Sequence, residues 1–307
     1  MNWFSKKIEE DQVIYFPSHL KTDEEGFTLL AQLHHQTAVK GRYVLDFSDV
    51  HWIEANLCAV LGAIVQQNRK NGSTFKFANW EEKHFLKHTL KNNGFLNILD
   101  ERNKLNPNPK RKNSGIPFRS FDLKDEDAVE EYIYKYVLLS EQVPEMTDGA
   151  KKKIYRSIFE IYQNSVIHSG AKEIFVCGQF YVNKKRMALT MVELGKTFKD
   201  NVCNYKEEHK DFTACNCIEW AVESGNSTKG NNTPGGLGID LIRDFLVKNE
   251  GKLQICSSNG YWQEKKGVKF VESISSSFEG SIVNIEFNLF DKNSYFTEEE
   301  IDITTIF

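Results

Sequence analysis

Along the first hundred residues, apolar and polar positions alternate in a way that predicts strands separated by helices. An apolar run at 13–16 precedes an amphipathic stretch over 23–37, and 43–47 again has strand character. A second helix is expected over 54–69, stopping at Asn71-Gly72. Residues 75–78 resume as a strand, and a third helix over 81–91 ends at Asn92-Asn93-Gly94. Helical spacing of apolar residues, closed by glycine-bearing stops, is the basis of these assignments. Strands spaced by such helices imply a parallel or mixed sheet covered by helices.

The pattern breaks between 100 and 114, where ERNKLNPNPKRKNS is polar, basic and holds two prolines. That composition suits an exposed connection, and its KRK tract reads as a solvated charge run. The chain is thereby divided into a first domain at 1–100, a connection at 101–117 and a second domain at 118–307. In the second domain helices are expected over 124–141 and 148–168, then strands over 172–182 and 186–193 joined by a turn at 183–185. A long irregular section, 195–235, holds one short helix near 212–223. A glycine-rich turn then opens a helix over 237–249, and strands follow at 252–257, 268–274 and 281–289. Helices grouped against mostly antiparallel strands make an α/β sandwich.

Composition narrows the class. A length of 307 residues implies two cores, and 39 Lys+Arg against 43 Asp+Glu give a net charge of -4, which disfavours nucleic acid as the main partner. Six cysteines without a paired CxxC indicate neither a disulfide framework nor a zinc site, and Cys215 and Cys217 read as incidental. No run of about 18 apolar residues and no signal-peptide core is present, so a soluble, cytoplasmic protein without a membrane partner is expected.

Three segments carry candidate chemistry. Glu160, Asn164 and His168 recur every four residues in FEIYQNSVIHSGA and so stack along one helix face. A polar stripe alone is more often plain surface. A carboxylate beside an amide, however, suits a magnesium and phosphate centre, the amide as a neutral oxygen ligand and the acid as a base. The second segment runs Thr233-Pro234-Gly235-Gly236-Leu237-Gly238 into a helix, where glycines permit close approach and helix-start N–H groups attract phosphate. It lacks the spacing of a P-loop. The third is Glu193-Leu194-Gly195 at a strand end, where a buried carboxylate could accept a hydrogen bond from an exocyclic amine.

Taken together, the order and spacing over about 118–289 resemble the GHKL superfamily, the ATP-binding fold of sensor kinases, anti-sigma-factor kinases, heat-shock chaperones and mismatch-repair ATPases. The family's ExxxNxxxH pattern is matched at Glu160, Asn164 and His168. The resemblance implies Asn164 as magnesium ligand and Glu160 as catalytic base. The turn Gly236-Leu237-Gly238 matches the phosphate-contacting glycines, with Pro234 where the first glycine is usual, and Ser281 would stand near the adenine pocket. The adenine-reading D-x-G-x-G is altered to Glu193-Leu194-Gly195-Lys196-Thr197. Residues 198–233 would form a lid that orders when nucleotide binds.

The first domain is similar to a STAS module over about 13–99. Ala55 and Asn56 stand where antagonists of that family carry a phosphorylated serine. Neither accepts phosphate, so the domain reads as a docking or sensing surface. A generic α/β domain is the alternative.

The expected function is a Mg·ATP-binding regulator, a slow ATPase whose nucleotide state controls a protein partner or homodimer. The alternatives are a protein serine/threonine kinase and a non-catalytic interaction module with a degenerate pocket. A sensor histidine kinase fits less well, because His34, His35, His84 and His88 lack the following acid such an acceptor needs.

Overall fold

The computed structural model describes residues 10–99, 114–143, 147–226, 228 and 238–289. The chain is mixed α/β. In the N-terminal part the order is β1 (Gln12–Tyr15), β2 (His19–Leu20), α1 (Glu24–Gln36), β3 (Arg42–Asp46), β4 (Trp52–Ile53), a 3-10 turn (Ala55–Leu57) running into α2 (Cys58–Lys70), β5 (Thr74–Ala78), α3 (His84–Asn92) and α4 (Leu96–Leu99). β1, β3 and β5 form a parallel sheet in that order, as strands separated by helices require, and β2 pairs with β4. Asp23 caps α1 by accepting the Gly26 amide.

The second part holds β6 (Gly115–Asp122), α5 (Glu126–Tyr132) continued by a π turn (Ile133–Leu138), α6 (Asp148–Asn164) continued by a second π turn (Ser165–Ser169), β7 (Glu173–Tyr181) and β8 (Arg186–Glu193). It ends with α7 (Phe198–Cys203), α8 (Ala214–Val222), α9 (Gly238–Lys248), β9 (Lys252–Lys265) and β10 (Val268–Asn288). These strands make an antiparallel five-stranded sheet in the order β6-β7-β8-β10-β9. The expected strands at 268–274 and 281–289 are one continuous strand. Register shifts after Ser273 and after Phe278 bend it, and Gly280 at φ +100° lets the bend close against the Glu193 carbonyl. Lys266 and Gly267, both at positive φ, make the tight hairpin turn between β9 and β10. Strand β6 lies outside the expected elements, because GIPFRSFD carries a proline and little alternation.

The strands IFVCGQFY and MALTMVE are apolar at nearly every position rather than at every second one, and both faces of the sheet are buried accordingly. One face, here the front, packs on α6 and α9 through Ile154, Ile158, Ile161, Ile242, Phe245, Leu189, Met191, Leu253 and Ile255. The back face packs on the N-terminal unit: Phe175, Cys177, Val192, Cys256 and Ile282 join Phe27, Leu57, Leu61 and Ile64 in one cluster. Two cores therefore exist, and the surface dividing them is the sheet itself. Ala55 and Asn56, at the turn that leads into α2, are buried within the chain. Asn56 is fully buried and its amide donates to Thr22 Oγ1 and Thr190 Oγ1 at 2.9 Å and to Asn284 Oδ1 at 3.1 Å.

Candidate functional site

Helix α6 starts at the Thr147 cap, whose hydroxyl accepts the Ala150 amide, and lays Ile154, Ile158, Ile161 and Tyr162 on the sheet. Beside that stripe stand Glu160 and Asn164. The helix then widens into the π turn, where Ser165 Oγ donates to Ile161 O and Ser169 Oγ donates to Ser165 O at 2.6 Å. π turns of this kind concentrate at functional sites. Gly170 at φ +63° ends it in the left-handed conformation.

Glu160, Asn164 and His168 line a cavity of about 110 Å³ together with Glu193 and Ser281, and its walls are completed by Phe198, Asn201 and Val202 of α7, Trp220 and Ala221 of α8, and Ile239 and Ile242 of α9. Ile161, Leu253, Ile255 and Val283 make an apolar floor. Five of the residues singled out in the sequence thus meet around one space, although more than a hundred positions separate the first from the last. Gly195 lies at the end of β8 beside them, and Gly238 opens α9. Gly235, Gly236 and Leu237 lie outside the described residues.

Close approach fixes this convergence. A Cβ on Gly195 would sit 2.3 Å from Ser169 O, and the next amide, that of Lys196, donates to the same oxygen at 2.6 Å. Glycine is therefore required where the end of β8 meets the end of the α6 π turn. On the other side Ser281 is register-paired with Glu193, and its hydroxyl donates to Glu193 Oε1 at 2.5 Å.

Glu193 is 2% exposed, and its second oxygen, Oε2, is buried with no hydrogen-bond partner. Burial pushes its carboxyl up to about 7, while the Ser281 hydroxyl and the nearby Gly195 and Ser281 amides act in the opposite direction. An acceptor left unmade in a cavity wall is a place for a ligand's donor.

The altered fifth position of the adenine-reading box has a structural reason. Thr197 has extended backbone (φ -76°, ψ 164°) and caps α7. Its hydroxyl accepts the Asp200 amide while Asp200 accepts from the Thr197 amide, a reciprocal capping box. No glycine conformation is needed there. Thr213 and Asn216 repeat the device at α8. The segment after Gly195, expected to be irregular with one short helix, thus holds two capped helices. Their Thr-x-x-Asp and Thr-x-x-Asn spacings are the sequence signal that marks them. Phe198 is tied to the sheet as well, its amide donating to Ser257 Oγ, which donates to Gly280 O. Lys196, Asn201, Trp220, Asn226 and Thr228 are cavity residues that the sequence reading did not single out as contacts. Thr228 Oγ1 lies 3.2 Å from His168 Nδ1.

Among the described residues no three Asp, Glu, His or Cys side chains cluster to hold a metal ion, and no helix is long and apolar enough to cross a membrane. No known protein family matches the chain, and no curated protein matches it. Among solved structures, the Acinetobacter baumannii histidine kinase AdeS aligns with 74% of this chain and 84% of its own at 13% identity, with a TM-score of 0.26, a likeness too slight to carry an argument.

Proposed function

We propose that the cavity binds Mg·ATP and that the protein is a nucleotide-controlled regulator of the GHKL type with slow ATPase activity. The observation that carries this reading is the unpartnered Oε2 of buried Glu193 in the wall of a cavity that Glu160, Asn164 and His168 also line. An exocyclic purine amine would supply the missing donor, and the apolar floor would take the ring. Asn164 would offer magnesium one neutral oxygen, with phosphate oxygens of the nucleotide and water completing the shell. Glu160, one helical turn away, would orient or deprotonate the attacking water.

The test is thermal unfolding of the full chain with and without Mg·ATP. A ligand at a hundred times its dissociation constant stabilises by about 2.7 kcal/mol. Asn164→Ala should remove the magnesium-dependent part of that stabilisation, and Glu160→Ala should keep binding and lose phosphate release. Equal Mg·ATP affinity in the Asn164 variant would overturn the assignment.

A further inference from the structure

Cys203 ends α7 and Cys217 sits in α8, and their sulfurs lie 3.7 Å apart. Cys203 is partly exposed and also faces Phe212 O, whereas Cys217 is buried. Both helices are walls of the cavity. Phe198, Asn201 and Val202 come from the first, Trp220 and Ala221 from the second, and neither cysteine lines it. Among the described cysteines this is a pair poised unlike the others. Cys58 and Cys177 also neighbour one another, but both are fully buried, as is Cys256, and Cys215 faces Ser273.

We propose that Cys203 and Cys217 form a reversible disulfide that staples α7 to α8 and restricts entry to the cavity. A disulfide sulfur–sulfur bond is about 2.05 Å, so closure shortens the gap by about 1.7 Å, within the reach of side-chain rotation and a small helix shift. The oxidant is a low-molecular-weight disulfide. The Cys203 thiolate, the accessible one, attacks it, forms a mixed disulfide and expels one small thiolate, which takes up the proton that Cys203 lost. Cys217 then attacks the Cys203 sulfur, the second small thiol leaves with the Cys217 proton, and two electrons have passed to the oxidant. Burial and the neighbouring Cys203 push the Cys217 thiol up to about 12, so Cys203 rather than Cys217 makes the first attack. The consequence for nucleotide rests on the function proposed above. Both helices wall the cavity, so tying them together restricts its opening and the oxidised form binds more weakly.

The test treats the full chain with oxidised glutathione in a Cys215→Ser background, because trypsin cuts at Lys206 and Lys210 between the two cysteines but leaves Cys215 and Cys217 on one peptide. A linked peptide joining Cys203 to Cys217, lost on dithiothreitol and absent in the Cys203→Ser and Cys217→Ala variants, is expected. Slower amide exchange in α7 and α8 after oxidation, and at least a tenfold rise in the Mg·ATP dissociation constant, complete the expected result. Glutathione retained on Cys203 with Cys217 free, Cys217 linked to a different cysteine, or unchanged exchange in both helices overturns the proposal. If the reduced protein fails to bind Mg·ATP, the nucleotide reading falls, while the linked peptide and the exchange rates still decide the staple.

Discussion

On β8 and β10 two polar pairs stand three residues apart and face opposite ways. Thr190 and Asn284 are register partners on the back face, and Glu193 and Ser281 are partners at the cavity. The back pair belongs to a closed network. Thr190 Oγ1 donates to Asn284 Oδ1, Asn284 Nδ2 donates to Gln254 Oε1, and Gln254 Nε2 donates to Thr22 O and to Tyr261 OH. The front pair leaves a carboxylate oxygen without a donor. Buried polar groups that satisfy one another specify a structure, whereas one held unsatisfied at a cost to stability marks a surface made for something else. Back-face substitutions should therefore lower stability and leave nucleotide affinity alone, and cavity substitutions should lower affinity without lowering stability.

The largest effect is expected at Arg186. It bonds Glu54 at 2.7 Å and also Glu286, both nearly buried, where Lys252 also approaches Glu286 at 3.7 Å. Burial pushes the Glu54 carboxyl up, but the Thr22 donors and then Arg186 outweigh it and hold it below the usual range. Arg186→Met removes the guanidinium shared by two buried carboxylates and should cost about 3–5 kcal/mol in urea unfolding. Mg·ATP affinity of the folded fraction should be unchanged. A variant of native stability would show that the back-face ions are replaceable.

Glu193→Gln should act with the opposite sign. A carboxyl raised from 4.5 to about 7 on folding keeps its proton better in the native state, so the contribution of Glu193 to native stability is full below pH 4.5 and is lost as pH rises towards 7. The total is about 3 kcal/mol, from 1.36 kcal/mol per pKa unit at a site almost wholly out of water. Glutamine has no such titration. The variant should match the parent near pH 4, exceed it by up to about 3 kcal/mol above pH 7 in denaturant melts, and lose ATP binding. Equal slopes of stability against pH in parent and variant would remove Glu193 from this role.

Much of this division was legible in the sequence, and the failures have causes. The spacing of Glu160, Asn164 and His168 and the place of Glu193 at a strand end mark these cavity residues in the sequence. Helix periodicity and strand termini are local properties. The covering of the back face was not legible as a contact, because which helix covers which sheet is a long-range matter. The unbroken apolar runs in β7 and β8 nevertheless required some cover. Helix α7 was missed because six residues are too few for periodicity to declare itself, although the Thr197 and Asp200 pair announced its start.

Thr197 is the smallest and sharpest case, a polar residue beside the cavity entrance whose hydrogen bonds are all made. If satisfaction rather than location decides, it should behave like the back-face residues. Thr197→Ala removes the acceptor for the Asp200 amide and should cost about 1 kcal/mol. Thr197→Gly supplies the glycine that the ATP-binding family usually has there, and glycine is nearly as good an N-cap, so its cost should be a few tenths of a kcal/mol. Neither should shift the Mg·ATP dissociation constant more than about twofold in a titration of the reduced protein. A tenfold gain in affinity for the glycine variant would instead mean that the Thr197 side chain obstructs the nucleotide, and that the cap is kept at the expense of binding.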